Sequence, residues 1–181
     1  MRSEHRLVVA GLCLLLSVAG CQSANLPELP LAEDVDLERF SGDWYVLGGA
    51  LTPFEDDAHD AIERYRHVPP DVMETTFEFR RGGPDGELKV YTPNARVRPG
   101  TGNAVWGMQF VWPLRMDYRI VRIDGDYELT IVGRRARDFV WVMARSPEID
   151  DAAWAEIVDY LVGIGYAREE IRRVPQSAAR T

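Results

Sequence analysis

The stretch Gly42-Asp43-Trp44-Tyr45-Val46-Leu47-Gly48-Gly49-Ala50 decides the fold of this chain. It is a β-type run that opens on the pattern Gly-x-Trp. The glycine lets the incoming backbone pass closely against the aromatic side chain, and a large aromatic at the start of a first strand suits the place where a small barrel closes. A tripeptide alone is a weak signal, so the rest of the chain must supply the other strands.

Short β-type runs continue after this stretch and alternate with turn clusters at the spacing typical of an up-and-down barrel. Tight connections such as Gly82–Gly86 and Asp124–Asp126 favour hairpins, so the sequence predicts a meander. The fold class is therefore all-β, an eight-stranded antiparallel barrel. The predicted strands are Asp43–Ala50, Ala61–Val68, Glu74–Arg81, Gly86–Tyr91, Ala104–Trp112, Asp117–Ile123, Tyr127–Gly133 and Phe139–Ala144.

The hydrophobic period changes after the eighth run. Trp154, Ile157, Val158 and Leu161 form one helical stripe, which predicts a helix capped by Asp150 or Asp151 and packed on the outside of the barrel. A helical turn over Asp36–Phe40 would cross the barrel floor, and Ile171–Val174 would add a short edge strand.

The first 20 residues have the pattern of an export signal. Arg2 and Arg6 precede the apolar run Leu7–Val18, which is too short to span a bilayer, and small residues follow it. Leu16–Cys21 resembles the bacterial lipobox, whose cysteine is acylated, with palmitate for example, and becomes the mature N-terminus. We therefore predict a signal peptide over residues 1–20 and a membrane anchor on Cys21.

Residues 21–34 are predicted to be a lipidated tether, because Pro27 and Pro30 interrupt regular structure there. Gln22 follows the cysteine where, in the enterobacterial sorting pattern, Asp would retain a lipoprotein in the inner membrane. The outer membrane, with the domain facing the periplasm, is therefore favoured. The formal net charge of −8 argues against nucleic acid as a partner. With Cys13 removed and Cys21 acylated, the exported domain has no disulfide.

Three motifs together resemble those of the lipocalin family. Gly42-x-Trp44 matches the first, Gly125-Asp126-Tyr127 resembles the second with Gly in place of the usual Thr, and Arg145 resembles the third. The resemblance covers residues 35–176 and is strongest to the bacterial outer-membrane members, leaving residues 177–181 as a disordered tail. It implies a barrel with a helix after the eighth strand and a cavity for a hydrophobic ligand.

Counting strand directions in a meander brings all three motifs to one end, the floor of the barrel. Arg145 can then lie over the indole of Trp44 in a cation–π contact while it donates to backbone carbonyls. Gly42, Trp44, Asp126, Tyr127 and Arg145 are therefore predicted to be structural residues.

If Trp44 points inward, the two-residue period of each strand fixes which other side chains face the lumen. Leu129 and Ile131 are expected inside on the seventh strand. Eight strands leave an interior that is either packed or holds one small ligand, and the family resemblance favours the ligand. The predicted ligand-binding residues are Tyr65, Phe77, Phe79, Trp106, Met108, Phe110, Tyr118, Ile120, Trp141 and Met143.

Arginines cluster in the loops of the opposite mouth, and Arg134, Arg135 and Arg137 are the candidates for holding an anionic headgroup at its rim. The alternative is that the rim arginines are solvated or pair with Glu55, Asp56, Asp57 and Asp138. The loop Glu55–Asp60 has no diagnostic metal-ligand spacing, so it is interpreted as a hydrated acidic loop.

The sequence predicts no catalytic residues, no metal and no cofactor, because it has no recognisable nucleophile motif. The predicted function is an outer-membrane lipoprotein that binds a fatty acid, lysophospholipid or similar amphiphile for storage or transport in the envelope. The main alternative is a protein-binding envelope lipoprotein with a filled barrel. An enzyme would need a polar cluster inside the lumen, which the sequence analysis does not identify. The sequence does not decide between a monomer and a homodimer.

Overall fold

The structure is a computed structural model that describes residues 27–110 and 112–177. An antiparallel sheet closes on itself, because β1 pairs with β2 along one edge and with β9 along the other. The strands are β1 (Gly42–Ala50), β2 (Ala58–Val68), β3 (Val72–Arg81), β4 (Leu88–Tyr91), β5 (Asn94–Val97), β6 (Val105–Gln109), β7 (Met116–Ile123), β8 (Leu129–Gly133), β9 (Val140–Ala144) and β10 (Arg172–Arg173).

The predicted eight-stranded barrel with one C-terminal helix is confirmed, since β4 and β5 share one place in the sheet. Both pair with β3, β4 opposite Phe77–Arg80 and β5 opposite Val72–Glu74. The break between them falls at Thr92–Pro93, where proline has no N–H to give to the ladder. The predicted fourth strand ends at Tyr91 and does not include β5. The added edge strand β10 pairs with Gly48 and Gly49 of β1.

Gly49 allows β1 to lie tightly against β9. Its φ is +146°, and a Cβ at this position would lie 1.8 Å from the carbonyl oxygen of Val140. Any larger residue would therefore separate the two strands at the seam where the barrel closes.

The two α-helices within the described ranges have capped N-termini. In α1 (Leu37–Phe40), the Asp36 carboxylate accepts hydrogen bonds from the next turn and Phe40 is fully buried at the barrel floor. In α2 (Asp151–Gly163), Asp150 accepts a 2.8 Å hydrogen bond from the Ala153 amide. The stripe Ile157, Val158 and Leu161 is buried against the outer wall of the barrel, as predicted.

The barrel wall separates two hydrophobic clusters. The inner one fills the barrel, whereas the outer one packs beneath α2 and includes Ile131, with Leu129 against it. The prediction that Leu129 and Ile131 face the lumen is therefore wrong, and Val132 belongs to the inner cluster instead. Because α2 covers the outside, both faces of β8 are buried, and the pairing register shifts between Ile120 and Arg122 on β7. Alternation alone could not decide which face points inward.

Residues 27–34, the second part of the predicted tether, pack against the barrel. Leu29 is buried, and the Ala32 amide donates to the Ile120 carbonyl at 2.9 Å. At the other end, Ser177 hydrogen-bonds to the Asp60 carboxylate. The predicted signal peptide and Cys21 lie outside the described residues. No helix in the described ranges is long and apolar enough to cross a membrane.

Candidate functional site

Arg145 closes the barrel floor. Its guanidinium carbon lies 3.7 Å from the centre of the Trp44 indole, and its nitrogens donate to the carbonyls of Asp43 at 2.7 Å and Tyr127 at 3.2 Å. It also donates to three carbonyls of the α1 segment, those of Arg39, Phe40 and Ser41. One side chain thus joins the start of β1, the loop before β8 and the end of β9.

Gly42 and Tyr127 complete this floor. A Cβ on Gly42, whose φ is +102°, would lie 3.2 Å from a guanidinium nitrogen of Arg145. The Tyr127 hydroxyl accepts from the Asp36 amide at 2.8 Å, and Arg39 lies over the Tyr127 ring. Asp126 is exposed, whereas Asp124 accepts from the Glu128 amide and shapes the loop.

An aromatic plug fills the lower half of the barrel above the floor. It consists of Phe40, Trp44, Tyr65 and Trp106, and Phe40 lies 5.1 to 5.2 Å, centroid to centroid, from each of the other three rings. Ile120 and Met143 are fully buried in the same cluster. This end of the barrel is therefore solid and closed to ligands.

A cavity of about 540 Å³ occupies the upper half and opens at the opposite mouth. Its wall is mostly aromatic and aliphatic. The lining residues are Thr52, Pro53, Phe54, Glu55, Glu63, Thr75, Phe77, Phe79, Tyr91, Thr92, Pro93, Met108, Phe110, Met116, Asp117, Tyr118, Phe139 and Trp141. A volume of this size suits one small hydrophobic molecule.

Exposed apolar side chains of the loops at the mouth form what we call the apolar rim. Phe54, from the loop after β1, and Phe110 line the cavity, and Trp112 and Leu114 follow Phe110 in the loop between β6 and β7. Trp112 is 82% exposed and Phe54 is 72% exposed. Large apolar side chains that remain in water around a cavity are typical of a site that meets a ligand, a partner or a membrane.

The base of the cavity carries a buried carboxyl group. Glu63 on β2 is 7% exposed, and its Oε2 accepts a 3.0 Å hydrogen bond from the Tyr118 hydroxyl. The Tyr118 hydroxyl also shares a hydrogen bond with Tyr65 at the top of the plug. Burial, together with the negative charge of Glu55, raises the pKa of Glu63 from 4.5 to about 8. Glu63 is therefore mostly protonated at neutral pH.

Glu55 enters the cavity from the mouth, in a short 3₁₀ turn over Pro53–Glu55. It is 6% exposed, and its carboxylate accepts from the Thr52 amide at 2.9 Å and from the Trp141 indole N–H at 3.0 Å. These bonds fix the loop after β1 against the wall of the barrel. We call Glu55 and Glu63 the acidic pair.

Thr75 lies on the cavity wall, diagonally across from Glu63 in the pairing of β2 with β3, and is 4% exposed. Its hydroxyl has no hydrogen-bond partner among the described residues. A buried hydroxyl without a partner costs about 1 to 3 kcal/mol, so it marks a place where a polar group of a ligand would be favourable.

Comparison with known proteins gives the family. A model of a lipocalin-like domain matches residues 35–176. The chain belongs to the lipocalin family. This lipocalin is 26% identical to outer membrane lipoprotein Blc of Escherichia coli K12 over 157 residues, which cover 84% of this chain and 85% of the relative. It is 22% identical to temperature-induced lipocalin-1 of Arabidopsis thaliana over 158 residues, which cover 83% and 84% of the two chains.

A solved structure of insecticyanin from the tobacco hornworm Manduca sexta superimposes on the lipocalin with a TM-score of 0.63 at 13% identity, covering 86% of this chain and 87% of the other. A similarity at this level of identity shows the fold alone.

The lipocalin cavity brings together six of the ten residues predicted to bind ligand, namely Phe77, Phe79, Met108, Phe110, Tyr118 and Trp141. The other four, Tyr65, Trp106, Ile120 and Met143, lie in or beside the plug, below the cavity. The difference arises because α1 pushes Phe40 up into the barrel, where it meets Trp44, Tyr65 and Trp106. The prediction of which side chains face the lumen did not take Phe40 into account.

The three predicted rim arginines do not line the cavity. Arg134 pairs with Asp138 at 2.9 Å, and Arg137 is buried with its guanidinium donating to the carbonyls of Arg135, Ile164 and Pro27. Arg135 is exposed, and its backbone amide donates to Asp117. The prediction of a headgroup contact is therefore wrong for Arg137, whose guanidinium is buried against three carbonyls. It stays a prediction for the exposed Arg135. For Arg134, the alternative of pairing with Asp138 describes the geometry.

The acidic pair is not among the predicted site residues, although the sequence contains one signal for it. On β2, Tyr65 was assigned to the lumen, and a two-residue period places Glu63 on the same face. Glu63 was passed over because only apolar side chains were expected inside. Glu55 had no such signal, since its position depends on how the loop after β1 turns back over the mouth. In the described ranges, no cluster of His, Cys, Asp and Glu suits a metal ion.

Proposed function

We propose that this lipocalin is a lipid-anchored outer-membrane protein that binds one single-chain amphiphile, such as a fatty acid or a lysophospholipid, for storage or transport in the cell envelope. The observation that carries the proposal is the cavity of about 540 Å³, closed by the plug below and open at the apolar rim above.

The apolar wall of the cavity would supply the affinity. A chain that buries about 200 Å² of apolar surface gains roughly 5 kcal/mol at about 25 cal/mol per Å². Part of this is offset by the loss of translational and rotational freedom on binding. Because the plug and the floor are held by contacts that no ligand touches, the cavity would be formed before the ligand arrives.

The anchor would place the cavity beside its source of ligand. The lipobox-like segment Leu16–Cys21 supports acylation of Cys21, and relatives named as outer membrane lipoproteins support the location. The apolar rim would lower the cost of moving an acyl chain between a bilayer and the cavity, since the chain would stay in contact with Trp112 and Leu114 during transfer.

The filled-barrel alternative has support only in the lower half of the barrel, where the plug is solid. The upper half holds the cavity. The proposal includes no chemical step, so the ligand would leave unchanged.

The binding test uses a cavity-filling substitution and a matched control on the same strand. Met108 lines the cavity, whereas Gln109 faces the other side of β6. Isothermal titration with palmitate and with a lysophospholipid should show one molecule per wild-type chain. Met108→Trp should weaken binding by about tenfold or more, and Gln109→Trp should change it by less than about twofold. Equal binding by both variants, or no binding by the wild type, would refute the cavity as the site.

The anchor is tested separately with Cys21→Ser. Cells grown with radiolabelled palmitate should label the wild-type protein in the outer-membrane fraction and leave Cys21→Ser unlabelled. Label on the variant, or wild-type protein in the inner membrane, would contradict the proposed location.

A further inference from the structure

The ionisable side chains at the base of the cavity are all acidic. Glu55 and Glu63 contribute carboxyl groups, and among the described lining residues there is no Lys, Arg or His. Asp117 is near the mouth and pairs with Arg119 at 2.8 Å, so its charge is partly balanced from outside the cavity. Glu55 accepts only neutral donors, the groups of Thr52 and Trp141. A carboxylate ligand would bring a further negative charge into this space.

Aromatic rings and a hydroxyl surround the acidic pair. Phe77, Tyr118 and Trp141 line the same cavity, and the faces of aromatic rings attract cations. The Thr75 hydroxyl, 4% exposed and without a partner among the described residues, can accept a hydrogen bond from an N–H donor. Two carboxyl groups, three rings and a free acceptor are the groups that recognise an ammonium ion.

The position of these groups sets the direction of entry. Glu63 pairs in register with Trp44 of the plug, so it lies at the bottom of the cavity, whereas the rim above it is apolar. A ligand that enters with its polar end first would place that end at Glu63 and leave its chain along Phe79 and Met108. Entry in the opposite direction would press an alkyl chain against Glu63 and Thr75, and set the polar end beside Trp112 and Leu114.

Resting on the proposed binding of an amphiphile in this cavity, we infer that the preferred amphiphile carries a protonated amine, which binds head first between Glu63, Glu55 and the Thr75 hydroxyl, so that a fatty acid of equal chain length binds more weakly.

Binding of an ammonium ion would be coupled to loss of a proton. The raised pKa of Glu63, about 8, means that the free protein holds a proton there at neutral pH. A neighbouring cation favours the ionised carboxylate, so the proton would leave as the amine binds. The other groups that face this site are Glu55, Asp117, Tyr65, Tyr118 and Tyr91. The pKa of Asp117 is lowered by Arg119, and burial holds the pKa of Tyr118 well above its usual value. Neither group changes its charge between pH 6 and 8.

The test compares three probes of equal chain length: dodecylammonium, dodecanol and dodecanoate. Each is titrated calorimetrically into the full chain, kept in solution by an amphipathic polymer, with the polymer alone as the blank. At pH 8 the amine should bind about tenfold to hundredfold more tightly than the alcohol, and the carboxylate should bind most weakly. The amine affinity should fall by about tenfold from pH 8 to pH 6, and the alcohol affinity should stay constant.

Glu63→Gln should reduce the advantage of the amine over the alcohol to less than about threefold and remove its pH dependence. Glu74→Gln is the matched control, because Glu74 lies on the outer face of β3 and pairs with Arg66. It should retain the wild-type order of probes. If Glu63→Gln does not fold, two other measurements still test the inference. Thr75→Val should weaken the binding of the amine probe alone, and the wild-type protein should bind the three probes in the order given above.

The outcomes separate this inference from the proposed function. Equal affinities for the three probes, or tightest binding of the carboxylate, would overturn the inference and leave a lipocalin that binds amphiphiles. No binding of any probe would refute both.

Discussion

Replacing Glu63 by Gln should stabilise the ligand-free protein, and the gain should grow with pH. Glu63 is 7% exposed at the base of an apolar cavity, and burial together with Glu55 raises its pKa from 4.5 to about 8. Between these two pH values the folded chain holds a proton that the unfolded chain has released. The free energy of unfolding therefore falls as the pH rises through this window.

The size of the effect follows from the pKa change. Each tenfold change in proton affinity is worth about 1.4 kcal/mol, so a pKa of about 8 in place of 4.5 corresponds to about 5 kcal/mol at pH 8 and above. This is an upper bound, because water that enters the cavity would solvate the carboxylate. We expect a gain of about 2 to 4 kcal/mol for Glu63→Gln between pH 5 and pH 8, since glutamine has the same shape and no charge.

The assay is urea unfolding of the full chain at several pH values from 5 to 9, followed by circular dichroism. Titrating groups common to both proteins cancel in the difference between wild type and Glu63→Gln. Glu74→Gln, on the outer face of the same barrel, should show a difference below about 1 kcal/mol that is flat with pH. A flat difference for Glu63→Gln as well would show that Glu63 is ionised in the folded protein, and would refute the account of the acidic pair.

Three further substitutions test the floor and the cavity wall. Arg145→Ala should lower the free energy of unfolding by about 3 kcal/mol, because the contact over Trp44 and the hydrogen bonds to carbonyls are lost. Below the melting temperature the variant should still bind the probes. Loss of binding at unchanged stability would contradict this prediction. Gly42→Ala should cost about 1 to 2 kcal/mol, because its φ is +102° and its Cβ would approach Arg145; Gly125→Ala, where a Cβ meets open space, is the control. Thr75→Val should raise the melting temperature, because it removes a buried hydroxyl without a partner, whose burial costs about 1 kcal/mol. Thr76→Val, on the outward face, should leave the melting temperature unchanged. A lower melting temperature for Thr75→Val would show that the hydroxyl has a partner.

The barrel could be predicted from the sequence because its determinants are local. Gly42-x-Trp44 and Arg145 sit at the ends of strands whose directions are fixed by short hairpins, so their meeting at the floor follows from counting. Phe77, Phe79 and Met108 were placed correctly, because each lies on a strand that alternates clearly between apolar and polar residues and is covered on one face only.

The errors arose where a side chain's surroundings depend on another element. Leu129 and Ile131 point outward, where α2 packs over them and buries the outer face of β8. Trp106 and Tyr65 lie below the cavity because α1 packs Phe40 against both rings. Arg137 became buried because residues 27–34 fold back over the barrel and supply the Pro27 carbonyl. None of these long-range contacts has a signal in the local sequence.

The central claim is that the upper half of the barrel holds one amphiphile. Native mass spectrometry of the full chain after incubation with a lipid extract of its own cells tests it most directly. We predict one bound molecule per chain, of a mass that fits a single-chain amphiphile, and its loss in Met108→Trp but not in Gln109→Trp. A spectrum showing only the unliganded chain, or the same adducts on both variants, would contradict the claim.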